Sequence, residues 1–421
     1  MKSRLHIFDD LKYFWKKLGP GLITGSSDDD PSGIATYSQA GASFGLATLW
    51  TALFTFPMMA TIEEMCARIG LVTRQGLARN IKNHYSKAVL YLMLLFTFPA
   101  IILNIGANIA GMGAVGNLLF PAIDAKIFSI LFTVLMMIFI IYFPYKKIAA
   151  VLKYLCLVLV VYLLVPFFYK QDILNIIIST VIPSFRFSKE YIAILVAILG
   201  TTISPYLFFW QAAMEVEEVN HMKKRLVINR KIITEARKDV NTGMFFSNLV
   251  MYFIILTTGT VLFNAHIHHI ETVDQAAEAL KPLAGEAAYL LFAIGIIGTG
   301  FLSVPVLAAT LSYVFCESFG CNEGLDKTFN EAKPFYLILI SAMVVGFGMN
   351  YVGISPIEGL IYAAIMYGLT APVLIAIILH MGNNQKIMGK FTNGWKSNFM
   401  GILTLTLMTF AAAILLYLEW S

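Results

Sequence analysis

Long apolar segments alternate with short polar ones along the whole chain. A helix needs about 17–25 mostly apolar residues to cross a bilayer. Eleven windows meet this length, near residues 19–43, 46–69, 88–115, 127–144, 148–168, 191–213, 241–264, 286–317, 335–351, 358–380 and 398–419. The pattern predicts an all-α integral membrane protein in which residues 1–421 form a single transmembrane domain, with residues 1–18 as a cytoplasmic N-terminal segment.

The composition agrees with this pattern. Hydrophobic residues make up 58% of the chain and charged residues 13%, against about 25% charged residues in soluble domains. Mean hydropathy is +0.75. We therefore expect membrane lipid to surround most of the protein. We attribute the net charge of +5 to membrane topology and expect no nucleic-acid partner.

The basic residues predict the orientation, because cytoplasmic loops are enriched in Lys and Arg. With the N-terminus inside, 24 of the 30 basic residues fall on the cytoplasmic side, five fall outside, and Lys153 lies within a span. The expected topology has a cytoplasmic N-terminus and, after eleven spans, an external C-terminus. We expect a multi-pass protein of a bacterial plasma membrane.

The first span is interrupted by Ser26-Ser27-Asp28-Asp29-Asp30-Pro31-Ser32-Gly33. Charged groups near the bilayer centre are costly and seldom persist without a function. The proline removes a backbone hydrogen bond, so a helix break is expected here. Freed carbonyls beside carboxylates form a hard oxygen site that suits a cation.

The sixth span contains a second candidate break, in Gly200-Thr201-Thr202-Ile203-Ser204-Pro205. Proline alone would be explained by a simple kink. Transporters built from inverted repeats, however, often carry two interrupted helices at matching positions, with the substrate between them. A separation of five spans fits a five-plus-five repeat with an eleventh helix appended.

The two breaks offer oxygen ligands and no Cys, His or Met. Backbone carbonyls near Asp30, Ser32 and Thr201 and the side chains of Asp30, Thr201 and Ser204 are the candidate ligands. An all-oxygen set favours Mg²⁺, Ca²⁺ or Mn²⁺ over softer metals. Alternating access between the two breaks would make the protein a secondary transporter of divalent cations.

The first break resembles that of the NRAMP family of divalent metal transporters, which has a LeuT-type fold. The family's Asp-Pro-Gly-Asn motif corresponds to Asp30-Pro31-Ser32-Gly33, and it follows Gly19-Pro20-Gly21 as the family's motif follows Gly-Pro-Gly. Ala67-Arg68-Ile69-Gly70-Leu71-Val72-Thr73 is similar to the segment that closes the family's second helix. The resemblance implies broken helices 1 and 6, Asp30 as a metal ligand, no enzymatic activity, and a divalent cation as substrate without any cofactor.

The departures from the family pattern affect the expected cargo. The family's Asn falls on Gly33, and its helix-six Ala-x-x-Met-Pro-His becomes Thr201, Ser204, Pro205 and Tyr206, while a second His falls on Gln211. Loss of the Met removes the soft ligand that favours Mn²⁺. The pattern is similar to the NRAMP-related branch associated with Mg²⁺, so we expect Mg²⁺ or Mn²⁺ as cargo. Loss of both histidines favours transport without proton coupling.

Three further carboxylates are candidates for the cation pathway. On a regular helix Asp28 and Asp29 lie about 200° and 100° away from Asp30, so the three would not face one site unless the helix breaks early. Glu63, in the second span, either pairs with Arg68 or loop basic residues, or acts as a gate or proton relay.

Polar groups outside the two breaks have simpler explanations. A solvated helix end or an inner vestibule accounts for Glu215, Glu217 and Glu218, and an exposed loop or a transition-metal site accounts for His266, His268, His269, Glu271 and Asp274. Thr370 packs in span ten or lines the pathway. The four cysteines are expected to be free thiols.

Two other functions remain open from the sequence. A LeuT-type carrier of organic solutes would hold a carboxylate at helix N-termini, and three aspartates there oppose it. A Mg²⁺-dependent membrane prenyltransferase would use Asp28-Asp29-Asp30 with a second acidic motif, for which only Glu215, Glu217 and Glu218 are available.

Overall fold

The computed structural model describes residues 20–143, 164, 172–221, 228–281, 285, 288–351 and 353–420, and within these it is helical without strands. The helices are α1 Pro20–Asp28, α2 Pro31–Phe44, α3 Trp50–Thr73, α4 Leu77–His84, α5 Lys87–Leu119, α6 Ala125–Tyr142, α7 Ile173–Val181, α8 Lys189–Thr202, α9 Pro205–His221, α10 Arg230–Val261, α11 Val273–Glu278, α12 Ala288–Phe319, α13 Lys333–Gly348, α14 Pro356–Asn383, α15 Gln385–Met388 and α16 Trp395–Trp420.

The predicted all-α membrane architecture is confirmed. In the described ranges, eight helical segments are long and apolar enough to cross a membrane, and the pair Pro31–Thr48 and Trp50–Thr73 meets the criterion together with a bend of 108°. Every predicted window other than 148–168 contains one or more of these helices. That window (apart from residue 164), the N-terminal segment 1–18 and Cys156 lie outside the described residues.

The predicted boundaries differ most at the seventh span, where α10 begins at Arg230 rather than near residue 241, and they also differ at the second span. A 3-10 turn at Gly45–Thr48 separates the first two spans, so the second helix begins at Trp50 rather than near residue 46. Gly45 has a φ of 60°, a left-handed conformation that favours glycine and produces this sharp change of direction. The polar segment after this span also contains a short helix, α4.

The first span is two helices joined at Asp29 and Asp30. Helix α1 ends at Asp28, Asp30 has an extended backbone with φ −74° and ψ 171°, and Pro31 begins α2. Proline fits the first turn of a helix because its missing N–H would have no partner there. The Asp30 side chain caps α2 by accepting a hydrogen bond from the Gly33 N–H.

The sixth span is broken in the same way. Helix α8 ends at Thr202, Ile203 is non-helical with φ −112° and ψ 63°, and Pro205 begins α9. Only Ile203 and Ser204 separate the two half-helices, because α9 begins at Pro205. Each broken span thus has its polar residues at the joint between two half-helices, as the sequence predicts.

Helix α10 supports the first half-helix. A Cβ added at Gly25 would meet the backbone of Gly243, and one added at Gly21 would lie 2.6 Å from the Val240 backbone nitrogen. The Gly21 N–H also donates to Asp239 Oδ2 at 2.7 Å. Small residues let α1 and α10 approach backbone to backbone, which positions Asp28 against α10.

Candidate metal-binding site

Asp30 lies at the centre of the first break and is held by hydrogen bonds on both of its oxygens. Its Oδ1 accepts from the Ser32 hydroxyl at 2.5 Å and from the Gly33 N–H at 2.8 Å. The residue is 1% exposed. The carboxylate therefore serves as a helix cap through one oxygen, and its other oxygen points away from α2.

The second oxygen of Asp30 faces two amides from α5. Asn104 Nδ2 donates to Asp30 Oδ2 at 2.9 Å, and Asn108 Nδ2 donates at 3.0 Å. Asn108 Oδ1 is buried and has no hydrogen-bond partner among the described residues. Sequence reasoning missed this pair, although two Asn four positions apart on one helix face of an apolar span were a visible signal.

Asp28 and Asp29 face α10 rather than α5. The Ser247 hydroxyl donates to Asp28 Oδ2 at 2.7 Å and lies 3.4 Å from Asp29 Oδ1. No three His, Cys, Asp or Glu side chains converge on a metal-sized site anywhere in the described ranges. The three aspartates therefore divide between two sides of the break, as their angular spacing predicts.

Thr201 and Ser204 lie at the second break, close to the first. A Cβ added at Gly33 would lie 3.3 Å from Thr201 Oγ1 and 3.2 Å from the Asp28 carbonyl oxygen. Ser204 Oγ donates to the Thr201 carbonyl at 2.6 Å, and the side chain lies beside the Asp28 carboxylate. Glycine at position 33 thus permits the two breaks to approach each other.

Tyr206 and Gln211 connect α9 to α1. The Tyr206 hydroxyl donates to the Ser27 carbonyl at 2.7 Å, which satisfies a carbonyl at the end of α1. Gln211 accepts from Thr24 at 2.5 Å and donates to Glu215 Oε1 at 2.9 Å. Both side chains therefore hold α9, the second half of the sixth span, against α1.

Among the described residues, Glu63 makes neither of the ion pairs considered for it. Arg68 pairs instead with Glu64, at 3.1 Å, and Arg237 from α10 reaches the same carboxylate at 3.1 Å. Glu63 is 2% exposed, and its Oε2 has no hydrogen-bond partner in the part of the chain that the structure describes.

Two thioethers lie near the breaks, on helices that the sequence reasoning did not consider for the site. Met251 Sδ on α10 accepts from Thr202 Oγ1 at 3.6 Å, and Met59 Sδ on α3 accepts from Asn248 Nδ2. Both sulfurs accept hydrogen bonds from neighbouring side chains, and neither is among the groups that hydrogen-bond to the Asp30 carboxylate. The groups that hydrogen-bond to that carboxylate present oxygen and nitrogen atoms.

The acidic residues after the second break separate from one another. Glu217 accepts from the Tyr313 hydroxyl at 2.8 Å and lines a cavity of about 350 Å³ that also contains Arg79 and Glu323. Burial raises the pKa of Glu323, and the paired Arg79 opposes that shift. Glu215 is buried and Glu218 is exposed, so the three do not form one acidic surface.

The histidine loop packs against the end of α2. The His268 carbonyl accepts from Ser43 at 2.8 Å and Gln39 Nε2 lies 3.3 Å from His269 Nδ1. Among the described residues, no metal-sized cluster of three ligating side chains forms here. Thr370 donates to the Met366 carbonyl of its own helix at 2.9 Å, which is a packing role.

The arrangement at Asp30 can bind a hard cation through oxygen. The Asp30 carboxylate carries the charge, Asn108 Oδ1 is an available amide oxygen, and the hydroxyls of Thr201 and Ser204 lie across the break. Mg²⁺ binds through one or two carboxylates and retains several water molecules. The donor amides and hydroxyls around Asp30 would reorient to complete such a shell.

Comparison with known proteins identifies relatives over nearly the whole chain. Residues 21–418 match the Nramp family, described as natural resistance-associated macrophage protein-like. The divalent metal cation transporter MntH of Klebsiella pneumoniae is 24% identical over 384 residues, which cover 89% of this chain and 87% of the relative.

Solved structures show the same architecture. The manganese transporter of Eremococcus coleocola superposes with a TM-score of 0.75 at 19% identity, over 95% of this chain and 87% of that one. MhsT in complex with L-phenylalanine superposes with a TM-score of 0.61 at 9% identity, over 94% of this chain and 98% of that one. At these identities the likeness shows the fold, which is LeuT-type with broken helices in the first and sixth spans.

These matches agree with the two proline-started breaks in the first and sixth spans. Members of the matching family are transporters rather than enzymes, so the prenyltransferase alternative is removed. The metal is their substrate, and they use no cofactor. The chain belongs to the Nramp family of divalent metal transporters.

Proposed function

We propose that this protein is a secondary transporter that carries Mg²⁺ in preference to Mn²⁺ by alternating access, without moving protons. The observation that carries the proposal is the set of oxygen and nitrogen groups around Asp30, with Ser204 where the family pattern has Met. Mn²⁺ gains more than Mg²⁺ from a soft sulfur ligand. A site without one loses that discrimination against Mg²⁺.

The amides of α5 support a hydrated cargo. Asn104 and Asn108 present neutral groups that can either donate to Asp30 or accept from metal-bound water. Mg²⁺ loses its water reluctantly and usually keeps several water molecules in protein sites. A ring of amides and hydroxyls around one carboxylate suits a cation that keeps part of its shell.

The residues at the family's histidine positions support transport without protons. Tyr206 and Gln211 hold α9 to α1 through the Ser27 carbonyl and Thr24. Neither side chain changes charge near neutral pH. These two side chains thus hold the helices together at the positions where the family's histidines could exchange a proton.

The proposal is tested in proteoliposomes loaded with a Mg²⁺ indicator and a pH indicator. We expect saturable Mg²⁺ uptake that exceeds Mn²⁺ uptake, with no change of internal pH that follows the cation. Asp30→Ala is expected to reduce the flux by at least about a hundredfold, since about 3 kcal/mol of lost binding corresponds to that factor.

The matched control is Asp124→Ala, which removes an exposed helix cap distant from the breaks. Its flux is expected to equal that of the wild type. Mn²⁺ uptake well above Mg²⁺ uptake, acidification in step with uptake, or full flux in Asp30→Ala would each contradict the corresponding part of the proposal.

A further inference from the structure

Glu63 is a buried carboxylate that forms no ion pair within the part of the chain that the structure describes. It lies on α3, is 2% exposed, and its Oε2 accepts no hydrogen bond from the described residues. The neighbouring Glu64 takes both nearby arginines, Arg68 and Arg237. A buried carboxylate is paired, coordinates a metal or is neutralised by a proton, and among the described residues no basic side chain pairs with Glu63.

Asp28 presents a second free oxygen on the same side of the break. Its Oδ2 is engaged by Ser247, whereas its Oδ1 is buried and accepts no hydrogen bond within the described ranges. Ser247, which holds Asp28, is followed on α10 by Asn248, and Asn248 contacts Met59, which lies one turn before Glu63 on α3. Asp28 and Glu63 therefore both lie where α1, α3 and α10 meet.

Glu63 belongs to α3 and Asp28 to α1, so the two carboxylates come from different helices. Each contributes a buried oxygen that has no hydrogen-bond partner among the described residues. None of the ion pairs found among the described residues involves Asp28, Asp29 or Glu63. A single divalent cation at Asp30 leaves this charge uncompensated.

We infer that Asp28 and Glu63 form a second divalent-cation site on the α1 side of the break, separate from the Asp30 site. Mg²⁺ satisfies its protein ligands with one or two carboxylates and fills the remaining positions with water, so two carboxylates suffice. The choice of Mg²⁺ as the probe rests on the proposed function. The two sites would hold cations on opposite sides of the joint between α1 and α2.

Equilibrium dialysis of the purified full chain against Mg²⁺ tests the inference. The wild type is expected to bind about two Mg²⁺ per chain, and Glu63→Gln and Asp30→Asn about one each, because each change removes one carboxylate site. The control Glu278→Gln alters an exposed acid paired with Lys281 and is expected to bind as the wild type does.

Thermal unfolding separates loss of the site from loss of the fold. Without metal, Glu63→Gln is expected to melt at or above the wild-type temperature, because an unpaired buried charge is removed. With saturating Mg²⁺ its increase in melting temperature is expected to be smaller than that of the wild type. A lower metal-free melting temperature with an unchanged Mg²⁺ response would overturn the inference.

Measurements of binding and of flux distinguish failure of the second site from failure of the transport proposal. About two bound Mg²⁺ with no Mg²⁺ flux in proteoliposomes would refute the proposed transport and support the second site. One Mg²⁺ per wild-type chain, with normal flux, would refute the second site and leave the transport proposal intact. That result would mean that a proton neutralises Glu63 in place of a cation.

Discussion

At the scale of single residues, the two oxygens of Asp30 have different roles. Oδ1 caps α2 through Ser32 and Gly33, while Oδ2 meets the amides of Asn104 and Asn108. The cap fixes the direction of the carboxylate, so in the proposed site an incoming cation would meet an acceptor that is already oriented. Such preorganisation reduces the entropy that binding would otherwise cost.

The amide side of this arrangement can be tested at Asn108. We expect Asn108→Ala to raise the Mg²⁺ concentration for half-maximal flux about tenfold, which corresponds to about 1.4 kcal/mol. The change removes one donor to Asp30 and the unpartnered Oδ1. The measurement is the concentration dependence of Mg²⁺ uptake.

Asn117→Ala provides the control on the same helix. Asn117 donates to the Ile123 carbonyl near the end of α5 and does not reach the break. Its uptake curve is expected to match the wild type. Equal effects from both substitutions would indicate that α5 acts through general stability rather than through Asp30.

Selectivity is predicted to depend on position 204. Ser204→Met places a thioether at the second break, and we expect the ratio of Mn²⁺ to Mg²⁺ uptake to rise about tenfold because soft ligands favour Mn²⁺. Competition of Mn²⁺ with Mg²⁺ uptake measures this ratio. Ser204→Ala, which adds no sulfur, is the control; an equal rise in both variants would show that sulfur is not the cause.

The sequence predicted the charged residue but not the groups around it. Asp30 is visible as a carboxylate in an apolar segment, and Pro31 marks the break. Ser247 could not be assigned, because a lone serine in an apolar span more often bonds its own helix. Arg68 lies four positions after Glu64 and five after Glu63, so helix periodicity alone favours Glu64 as its partner, a signal that the sequence reasoning did not use.

At the scale of elements, the two proline-started half-helices were predictable because proline and glycine act locally. The bend at Gly45–Thr48 was not, since it depends on how α2 and α3 pack around α10. The close contact between α1 and α10 was not predictable either, because the position of a glycine in a membrane helix does not indicate which helix packs against it.

The close contact between α1 and α10 can be tested by adding a single methyl group at Gly25. Gly25→Ala would force α1 away from the Gly243 backbone, and overpacking of this kind costs about 1–3 kcal/mol. We expect a lower melting temperature and a large loss of flux, because the displacement moves Asp28 at the end of α1.

Gly295→Ala is the matched control within a helix. A Cβ at Gly295 meets nothing within 4 Å, and alanine is favoured over glycine in a helix by about 0.5–1 kcal/mol. Its melting temperature is expected to stay unchanged or rise, with normal flux. Normal flux in Gly25→Ala would show that α1 tolerates displacement.

At the scale of the whole molecule, the excess of basic residues predicts which end of the bundle faces the cytoplasm. We expect Lys396→Cys to react with a membrane-impermeant thiol reagent from the cytoplasmic side and Lys281→Cys from the outside, in a variant without the four native cysteines. Both positions are exposed at the ends of the helix bundle.

The measurement is labelling of intact cells against inside-out vesicles. Each site serves as the control for the other, because the two preparations should give opposite patterns. Labelling of both positions from one side would contradict the eleven-span topology, and a reversed pattern would contradict the predicted orientation alone.

The joint between α1 and α2 gives the molecule a mechanical property. It consists of Asp29 and Asp30. Asp28 is the last residue of α1, and Asp30 is fixed to the start of α2 by its cap. In the proposed transport cycle, a swing of α1 or α2 about this joint would change the distance between the Asp28 and Asp30 carboxylates. The same movement would then alter both proposed cation sites at once, without a separate pathway between the binding residues and the moving helices.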